Sequence, residues 1–369
     1  MENTSKVWFT NMRTNFGDSL PNKLTRLIKA AGIASIDFNH QFVAIKMHFG
    51  EKGNLAFLRP NFAKTVVDTV KHLGGKPFLT DCSTLYPGTR KNALEHLDTA
   101  WENGFNPLSA GCNILIADGL TGLNETLVPV AGEYIQTAKI GAAIMDADIV
   151  ISLNHFKGHE MTGFGGAIKN IGMGCASRAG KMDQHIAGKP SVDPDLCIGC
   201  GKCRRNCAHD AITLVNKKAI VDHTRCVGCG RCIGSCPTDA MHPGDGSSSS
   251  DLSCKMAEYA LAVVSGRPHF HISIVIDVSP NCDCHGENDM PIVPNVGMFA
   301  SFDPVALDQA CADAVNRQPS ITGSQLGEQP DAQGDHFCSV HPSTDWHVCL
   351  AHAEKIGLGR TAYQLISVK

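Results

Sequence analysis

Short apolar runs of strand length alternate along this chain with amphipathic stretches of helical period. Phe42 to Met47, Phe78 to Thr80, Ile114 to Ala117 and Ile149 to Leu153 read as strands. Asn61 to Leu73, Thr89 to Asn103 and Thr137 to Met145 read as the intervening helices. Further on, Leu252 to Val264 reads as a helix and His271 to Val278 as a strand. Asp303-Pro304 supplies a cap and a first-turn proline for a helix over Val305 to Val315. Arg317 to Asp345 is polar and mostly loop, and a last helix covers Trp346 to Ile356. Strands alternating with helices predict an α/β host domain with a mainly parallel sheet.

Polar residues gather at the carboxyl ends of these strands: Lys46 and His48, Asp81, Asp118, Asn154 and His155, then Asp277. Open parallel sheets bind ligands in the crevice at those ends. Any one of these residues is equally a cap or turn former, but five strands ending alike predict a shared cleft.

The alternation stops between residues 191 and 241, where cysteine takes over. Eight of the 17 cysteines fall within 40 residues. Cys197, Cys200, Cys203 and Cys207 read C-x2-C-x2-C-x3-C, and Cys226, Cys229, Cys232 and Cys236 repeat the spacing 29 residues later. This is the bacterial ferredoxin run, in which three cysteines wrap a [4Fe-4S] cube and the fourth serves the other cluster. The expected sets are Cys197, Cys200, Cys203 and Cys236 for one cluster, and Cys226, Cys229, Cys232 and Cys207 for the second. Glycines 199, 201, 228, 230 and 234 let the backbone bend close to a cube. Ala208 stands where the run usually has proline, as it does at Pro237, without removing a ligand. Structural zinc also uses C-x2-C pairs, but two complete four-cysteine runs in tandem favour clusters. The organisation expected is a host domain over residues 1–190, a small ferredoxin-like α+β insert over 191–241 with strands at Ile212 to Val215 and Ala219 to Val221, a polar linker over 242–251, and the rest of the host over 252–369.

Composition adds exclusions. The 369 residues are 43% hydrophobic and 18% charged with a formal net charge of -4. That is a globular composition with no electrostatic reason to expect nucleic acid or an anionic membrane as the main partner. Apolar runs such as Ala110 to Leu120 fall well short of the roughly 20 residues of a membrane span. Met1 to Asn11 lacks a basic start and an apolar core, so the expected setting is the cytoplasm, reducing and anaerobic.

Two further constellations could carry chemistry. Asn154 to His185 holds His155, Lys157, His159, Glu160, Lys169, Asn170, Cys175, Arg178, Lys181 and His185 among six glycines between Gly158 and Gly174. Backbone N–H groups at Gly165 and Gly166, with Lys157 and Lys169, suit a small anionic substrate. His155, His159 and His185 are candidates for proton transfer, with Lys169 beside them as a catalytic group. The spacing of His155 and His159 would suit one helical face, although Gly158 between them argues against a zinc-protease helix. Lys169 is followed by Asn170, so the stretch is no Walker loop, and no dinucleotide fingerprint is present. The second constellation is Asn281-Cys282-Asp283-Cys284-His285, where Cys282 and Cys284 could hold a further metal or cluster, act as a redox dithiol, or simply be buried thiols. Cys82, Cys112, Cys254, Cys311 and Cys349 lie in apolar settings and read as core.

The segments KMHFGEKGN from Lys46, KGHEMTGFGGAIKNIGMGC, the double cysteine run, CDCHGENDMPIVPNVG and SFDPVALDQA together resemble the domain-of-unknown-function 362 family of iron–sulfur proteins over nearly the whole chain. The resemblance implies an α/β host and two [4Fe-4S] clusters but no particular reaction. The order of His159, the glycine pair and Lys169 is more distantly similar to nickel-dependent lactate racemases, a pattern from which the C-x-C pair and the cysteine insert depart. The expected function is an iron–sulfur oxidoreductase that exchanges electrons with a redox partner protein and acts on a small anion or further cofactor in the host cleft. The alternatives are a non-catalytic electron carrier or adaptor and a metal or cluster maturation protein.

Overall fold

Four consecutive apolar runs pair side by side because each is hydrophobic on both faces and must be covered twice. In the computed structural model, which describes residues 4–86, 88–185, 189–244, 248–329 and 334–369, one sheet has eight strands. They are β1 (Ser5–Asn11), β2 (Phe42–Lys46), β3 (Lys76–Asp81), β4 (Ile114–Ile116), β5 (Ile149–His155), β6 (His269–Val275), β7 (Gly297–Ser301) and β8 (Tyr363–Ser367), in the spatial order β8-β1-β7-β6-β5-β2-β3-β4. Only β7 runs against its neighbours, so the fold is α/β with a mainly parallel mixed sheet.

The two faces are read from alternation. Val43, Ile45, Ile149, Ile151, Phe270, Ile272 and Met298 pack with helices Leu20–Ala30 and Pro60–His72. Val150, Val275 and Phe299 pack with helices Ala167–Gly172, Ser249–Val264, Pro304–Asn316 and Trp346–Lys355. Toward the carboxyl ends of β5 and β6 the second face turns polar. Ser152 bonds His271 at 2.8 Å, and the Asn154 amide donates to the Ile272 carbonyl at 2.9 Å. Among the described residues no helix is long and apolar enough to cross a membrane.

Several expectations need correction. Thr137 to Met145 is not one helix: Thr137–Gly141 is a strand paired with Glu125–Pro129, followed by one helical turn at Ala142–Met145. The alternating burial of Thr137 to Ile140 is a period-two signal that the apolar tail beyond Gly141 obscures. The helix expected from Thr89 begins only at Ala93, because the Asn92 side chain accepts from the Glu95 N–H and caps it there. That frees Thr89 and Arg90 to turn inward. His155 and His159 end strands rather than sharing a helical face. β6 stops at Val275, and the polar stretch after Arg317 contains a helical turn at His336–Val340 capped by Asp335.

Pro190–Val192 pairs antiparallel with Met241–Pro243, so the cysteine-bearing segment leaves and rejoins the chain side by side. The stretch 242–251 is therefore only partly a linker: His242 and Pro243 lie in that strand and Ser249–Val264 is already helix, while 245–247 lie outside the described residues. Inside the segment the 29-residue offset recurs in the backbone. Gly199 and Gly228 have φ of 69° and 72°, Gly201 and Gly230 have 70° and 67°, and Asp210 and Asp239 have 48° and 54°. The Asp193 N–H donates to the Ala240 carbonyl and the Asp222 N–H to the Ala211 carbonyl, so each half closes on the end of the other.

Gly172 lies where helix Ala167–Gly172 crosses Ser249–Val264, and a Cβ there would collide with the Met256 carbonyl. Backbone cannot yield as a side chain can. Gly172→Ala is expected to cost about 1–3 kcal/mol by overpacking, read as a lowered midpoint in thermal unfolding.

Candidate functional site

The carboxyl ends of β2, β3 and β5 deliver Lys46, Asp81, Asn154 and His155 to one cavity. It also takes His48, Arg90, Lys157, Lys169, His185, Cys282 and Cys284 from the connecting segments, and encloses about 70 Å³. A single water needs roughly 10–15 Å³ by this measure, so the space suits a few waters or a small ligand. Of the strand-end groups singled out by sequence, Lys46, His48, Asp81, Asn154 and His155 meet here. Asp118 instead accepts from the Ser83 N–H at 3.0 Å, and Asp277 is drawn aside to Arg59 at 3.3 Å.

The cavity wall is a set of buried ion pairs. The Lys46 ammonium lies 3.0 Å from Asp81 and donates to the Asn170 amide oxygen at 2.8 Å. Asn170 in turn donates to the Asn154 amide oxygen at 2.7 Å and to the Lys46 carbonyl at 2.9 Å, tying helix Ala167–Gly172 to β2 and β5. Arg90 pairs with Glu51 at 2.9 Å, and both side chains are buried. Burial alone would raise the Glu51 pKa, but Arg90 and hydrogen bonds from Thr89 and Lys52 outweigh it and bring it down to about 2. Burial holds His48, His96 and His185 neutral, each with its pKa lowered to about 3. The Arg90 Nη2 is buried with no hydrogen-bond partner among the described residues.

The candidate histidines differ in freedom. His155 has both ring nitrogens occupied, Nδ1 by Asp283 at 2.9 Å and Nε2 by the Ile276 carbonyl at 2.7 Å. Both of its nitrogens are thus engaged within the protein. His185 points Nε2 at the Tyr86 hydroxyl, 2.7 Å away. His159 accepts the Met161 and Thr162 N–H groups on Nδ1 at 3.1 and 3.2 Å, which fixes its proton on Nε2. That nitrogen faces Cys282, so His159 donates to the sulfur.

Cys282 is the more acidic sulfur of the pair. The Cys284 thiol donates to it, and the Lys169 ammonium, 3.4 Å away, and His159 add to the effect, so its pKa falls well below the usual thiol value despite burial. Cys284 is pushed the other way, chiefly because its thiol donates a hydrogen bond to Cys282 and so keeps its proton. Burial works against the Lys169 ammonium, but the two sulfurs outweigh it and raise its pKa. Lys157 pairs with Asp283 at 3.2 Å.

Gly165 and Gly166 of the glycine-rich turn line the cavity. The N–H groups of Ala167 and Ile168, just past Gly165 and Gly166, are already taken by the buried Asp308 carboxylate at 2.6 and 2.9 Å. Gly166 is glycine because a Cβ would collide with that carboxylate. Burial outweighs the two hydrogen bonds and lifts the Asp308 pKa to about 7. Lys157 and Lys169 line the same cavity beside these glycines. Arg178 also leaves the cavity, reaching the Lys91 carbonyl and lying against Gly230 and Gly234. Cys175, like Cys82, Cys112, Cys254, Cys311 and Cys349, is buried. Glu51, Arg90 and Tyr86 were not singled out by sequence; only the unusual acid-and-glycine run after His48 hinted at the first.

The cysteine segment encloses two further cavities. One is lined by Cys197, Cys200, Cys203 and Cys236, the other by Cys207, Cys226, Cys229 and Cys232. Each set draws its fourth cysteine from the other repeat. The Ala219 N–H donates to the Cys197 sulfur at 3.4 Å and the Ala211 N–H to Cys207 at 3.3 Å. Leu85 and Met182 of the host pack against Cys203, Cys232 and Ile233, joining this segment to the wall that carries Tyr86 and His185.

A sequence profile described as "Domain of unknown function (DUF362)" matches residues 43–313. The thylakoid-associated protein sll1697 of Synechocystis is 28% identical over 138 residues, which are 37% of this chain and 39% of that protein. The lactate racemase apoprotein of Thermoanaerobacterium thermosaccharolyticum superposes with a TM-score of 0.39 at 12% identity, over 74% of this chain and 51% of that one. A Thermotoga maritima protein gives 0.41 at 10% identity, over 79% and 57%. The chain thus spans about two-fifths of the curated relative and just over half of these two structures.

The cavity's ionisation fixes a pH response. Glu51 and the three neutral histidines bind protons less readily folded than unfolded, so acidification favours the unfolded chain. Stability is expected to fall as pH drops below the ordinary histidine value of 6.5, and further below the ordinary glutamate value of 4.5 toward 2. Glu51→Gln is expected to lose about 3–5 kcal/mol at neutral pH by stranding Arg90, and to flatten the part of the denaturant-unfolding profile below that glutamate value.

Proposed function

The chain belongs to the DUF362 family, and we propose that it is an iron–sulfur redox protein with two [4Fe-4S] clusters, an oxidoreductase whose host cavity receives a small anionic substrate or a further centre. The observation that carries the reading is the grouping of eight cysteines into two sets of four about separate cavities, each set completed by the opposite repeat. That exchange is the arrangement of two-cluster ferredoxins. Left-handed glycines at equivalent places bring backbone close to both sets, and N–H groups already aim at Cys197 and Cys207. Residues and group therefore fit. When bound, such clusters supply electrons one at a time.

The chain's own residues supply the remainder. Leu85 and Met182 keep water from the contact between the cysteine segment and the cavity wall. Lys157 and Lys169 would attract an anion, and the unpartnered Arg90 Nη2 is a buried donor beside the same space. His159 or His185 would hold a proton at Nε2, toward Cys282 or Tyr86 respectively. Leu196, Ile198 and Val227 are exposed around the cysteine runs, an apolar surface suited to a redox partner protein.

Anaerobically purified protein is expected to contain about 8 iron and 8 sulfide per chain. Cys207→Ala should lose one cluster. Adding Cys226→Ala should lose nothing more, because both cysteines belong to one set, whereas adding Cys197→Ala should remove the second cluster. Zinc in place of iron, or the opposite pattern of losses, would sink the reading.

A further inference from the structure

We propose that Glu160, Cys284 and His285 form a binding site for one divalent transition ion of the zinc type, separate from the eight cysteines of the tandem runs. One carboxylate oxygen, one sulfur and one ring nitrogen from these residues lie within 4.8 Å of one another. In a tetrahedral zinc site the donors sit about 3.3–3.7 Å apart, given zinc–ligand distances of about 2.0–2.3 Å. The Glu160 oxygen and His285 Nε2 are already 3.2 Å apart, and with all three atoms within 4.8 Å the sulfur has at most about 1.5 Å to close.

A second observation points to a missing cation. The other carboxylate oxygen of Glu160, Oε2, is shielded from water and has no hydrogen-bond partner outside its own residue among the described residues. A buried carboxylate oxygen without a donor is costly, and native structures rarely leave one unless an ion or water serves it. The pairing with His285 alone satisfies Oε1 and does nothing for Oε2.

The ligand loop is held in advance. The His285 carbonyl accepts from the Asn54 side chain at 3.0 Å, its N–H donates to the Cys282 carbonyl at 3.1 Å, and the Asp283 carbonyl accepts the Glu51 N–H at 2.9 Å. Gly286 and Gly53 meet backbone to backbone beneath it. On the opposite side Glu160 follows His159, whose ring anchors the next turn. The ligands thus project from two fixed segments.

The donor set selects the ion. A thiolate and an imidazole beside a single carboxylate favour a borderline-soft ion over magnesium or calcium, which want oxygen donors. Three protein ligands leave a position for water or an anionic ligand, as in catalytic rather than structural zinc sites. Cys284 lines the cavity, and Glu160 and His285 are about a third exposed, so an ion can arrive from solvent and still touch the cavity. The site uses none of the tandem cysteines, so it stands or falls apart from the cluster reading.

The test is titration of anaerobically purified protein with Zn2+ and, separately, Co2+, with iron and sulfide assayed throughout. About one equivalent is expected to bind with iron unchanged, and Co2+ should show a thiolate-to-metal charge-transfer band. Glu160→Gln and His285→Ala should each weaken binding at least tenfold, and Cys284→Ser should abolish the band while iron content and circular dichroism stay as in the parent. If the protein proves to lack iron, the tandem cysteines will take up zinc of their own, and the equivalent sensitive to these three variants is counted apart from it. No uptake, uptake indifferent to the variants, or uptake that expels iron from the protein would overturn the proposal.

Discussion

The Asp283 carboxylate has no exposure to solvent, and the arrangement of the site hangs on it. An ionised carboxylate at such a depth is tolerable only if cations and donors reach it, because its lost hydration costs several kcal/mol. His155 at the end of β5 and Lys157 two residues on supply them, and the backbone of the same residue accepts from Glu51. The other nitrogen of His155 holds the Ile276 carbonyl just beyond β6. One buried charge therefore clamps two neighbouring strand ends to two loops, and the sulfurs on either side of it can sit only where they do. Cys282 is turned toward Lys169 and His159, and Cys284 toward Glu160 and His285.

The same accounting extends around the cavity. Lys46 is matched to Asp81, Arg90 to Glu51, Lys157 to Asp283 and Lys169 to the Cys282 sulfur. A wall built of matched pairs in a low-dielectric space is rigid, since moving any member strands its partner. What remains unmatched is then informative. Among the described residues Arg90 keeps a spare donor, Asp81 and Glu160 each keep a spare acceptor, and both His96 nitrogens lack a hydrogen-bond partner; none of these is the kind of group a folded protein leaves idle at no cost.

How much of this was legible in the sequence depended on distance along the chain. β2, β3 and β5 were plain because each carries a short run of adjacent apolar residues, Val43 to Ile45, Phe78 to Leu79 and Ile149 to Ile151, that are buried on both faces. β1, β7 and β8 escaped for different reasons. The outer strand β8 is mostly exposed and carries little apolar signal, β1 mixes Lys6 and Thr10 into its run, and β7 shows no alternation because all five of its residues are buried. The cysteine repeats were legible because their ligand spacing is local. The clamp on Asp283 was not, since its partner His155 lies 128 residues away and neither residue has a signature of its own. Thr89 and Arg90 looked like the first turn of a helix, and only the Asn92 cap shows why they are free to face Glu51.

The two cysteine repeats record in their differences how the segment meets the host. Gly234 admits no side chain because the Arg178 guanidinium fills that place, while its counterpart 29 residues earlier is Arg205, exposed to solvent and donating to the Cys200 carbonyl at 3.2 Å. Asp239 accepts from Lys91 at 2.6 Å, and Lys91 also reaches the Cys236 carbonyl at 3.2 Å. The matching Asp210 is largely exposed and lies 3.7 Å from Arg225 of its own segment. Near-identical backbones thus carry opposite surfaces, one shaped to the host and one left to solvent, with Cys200 exposed on the outward side. The glycine at 234 opposite an arginine at 205 is how this sequence gives one repeat a face that fits the host and leaves the other repeat's face to solvent.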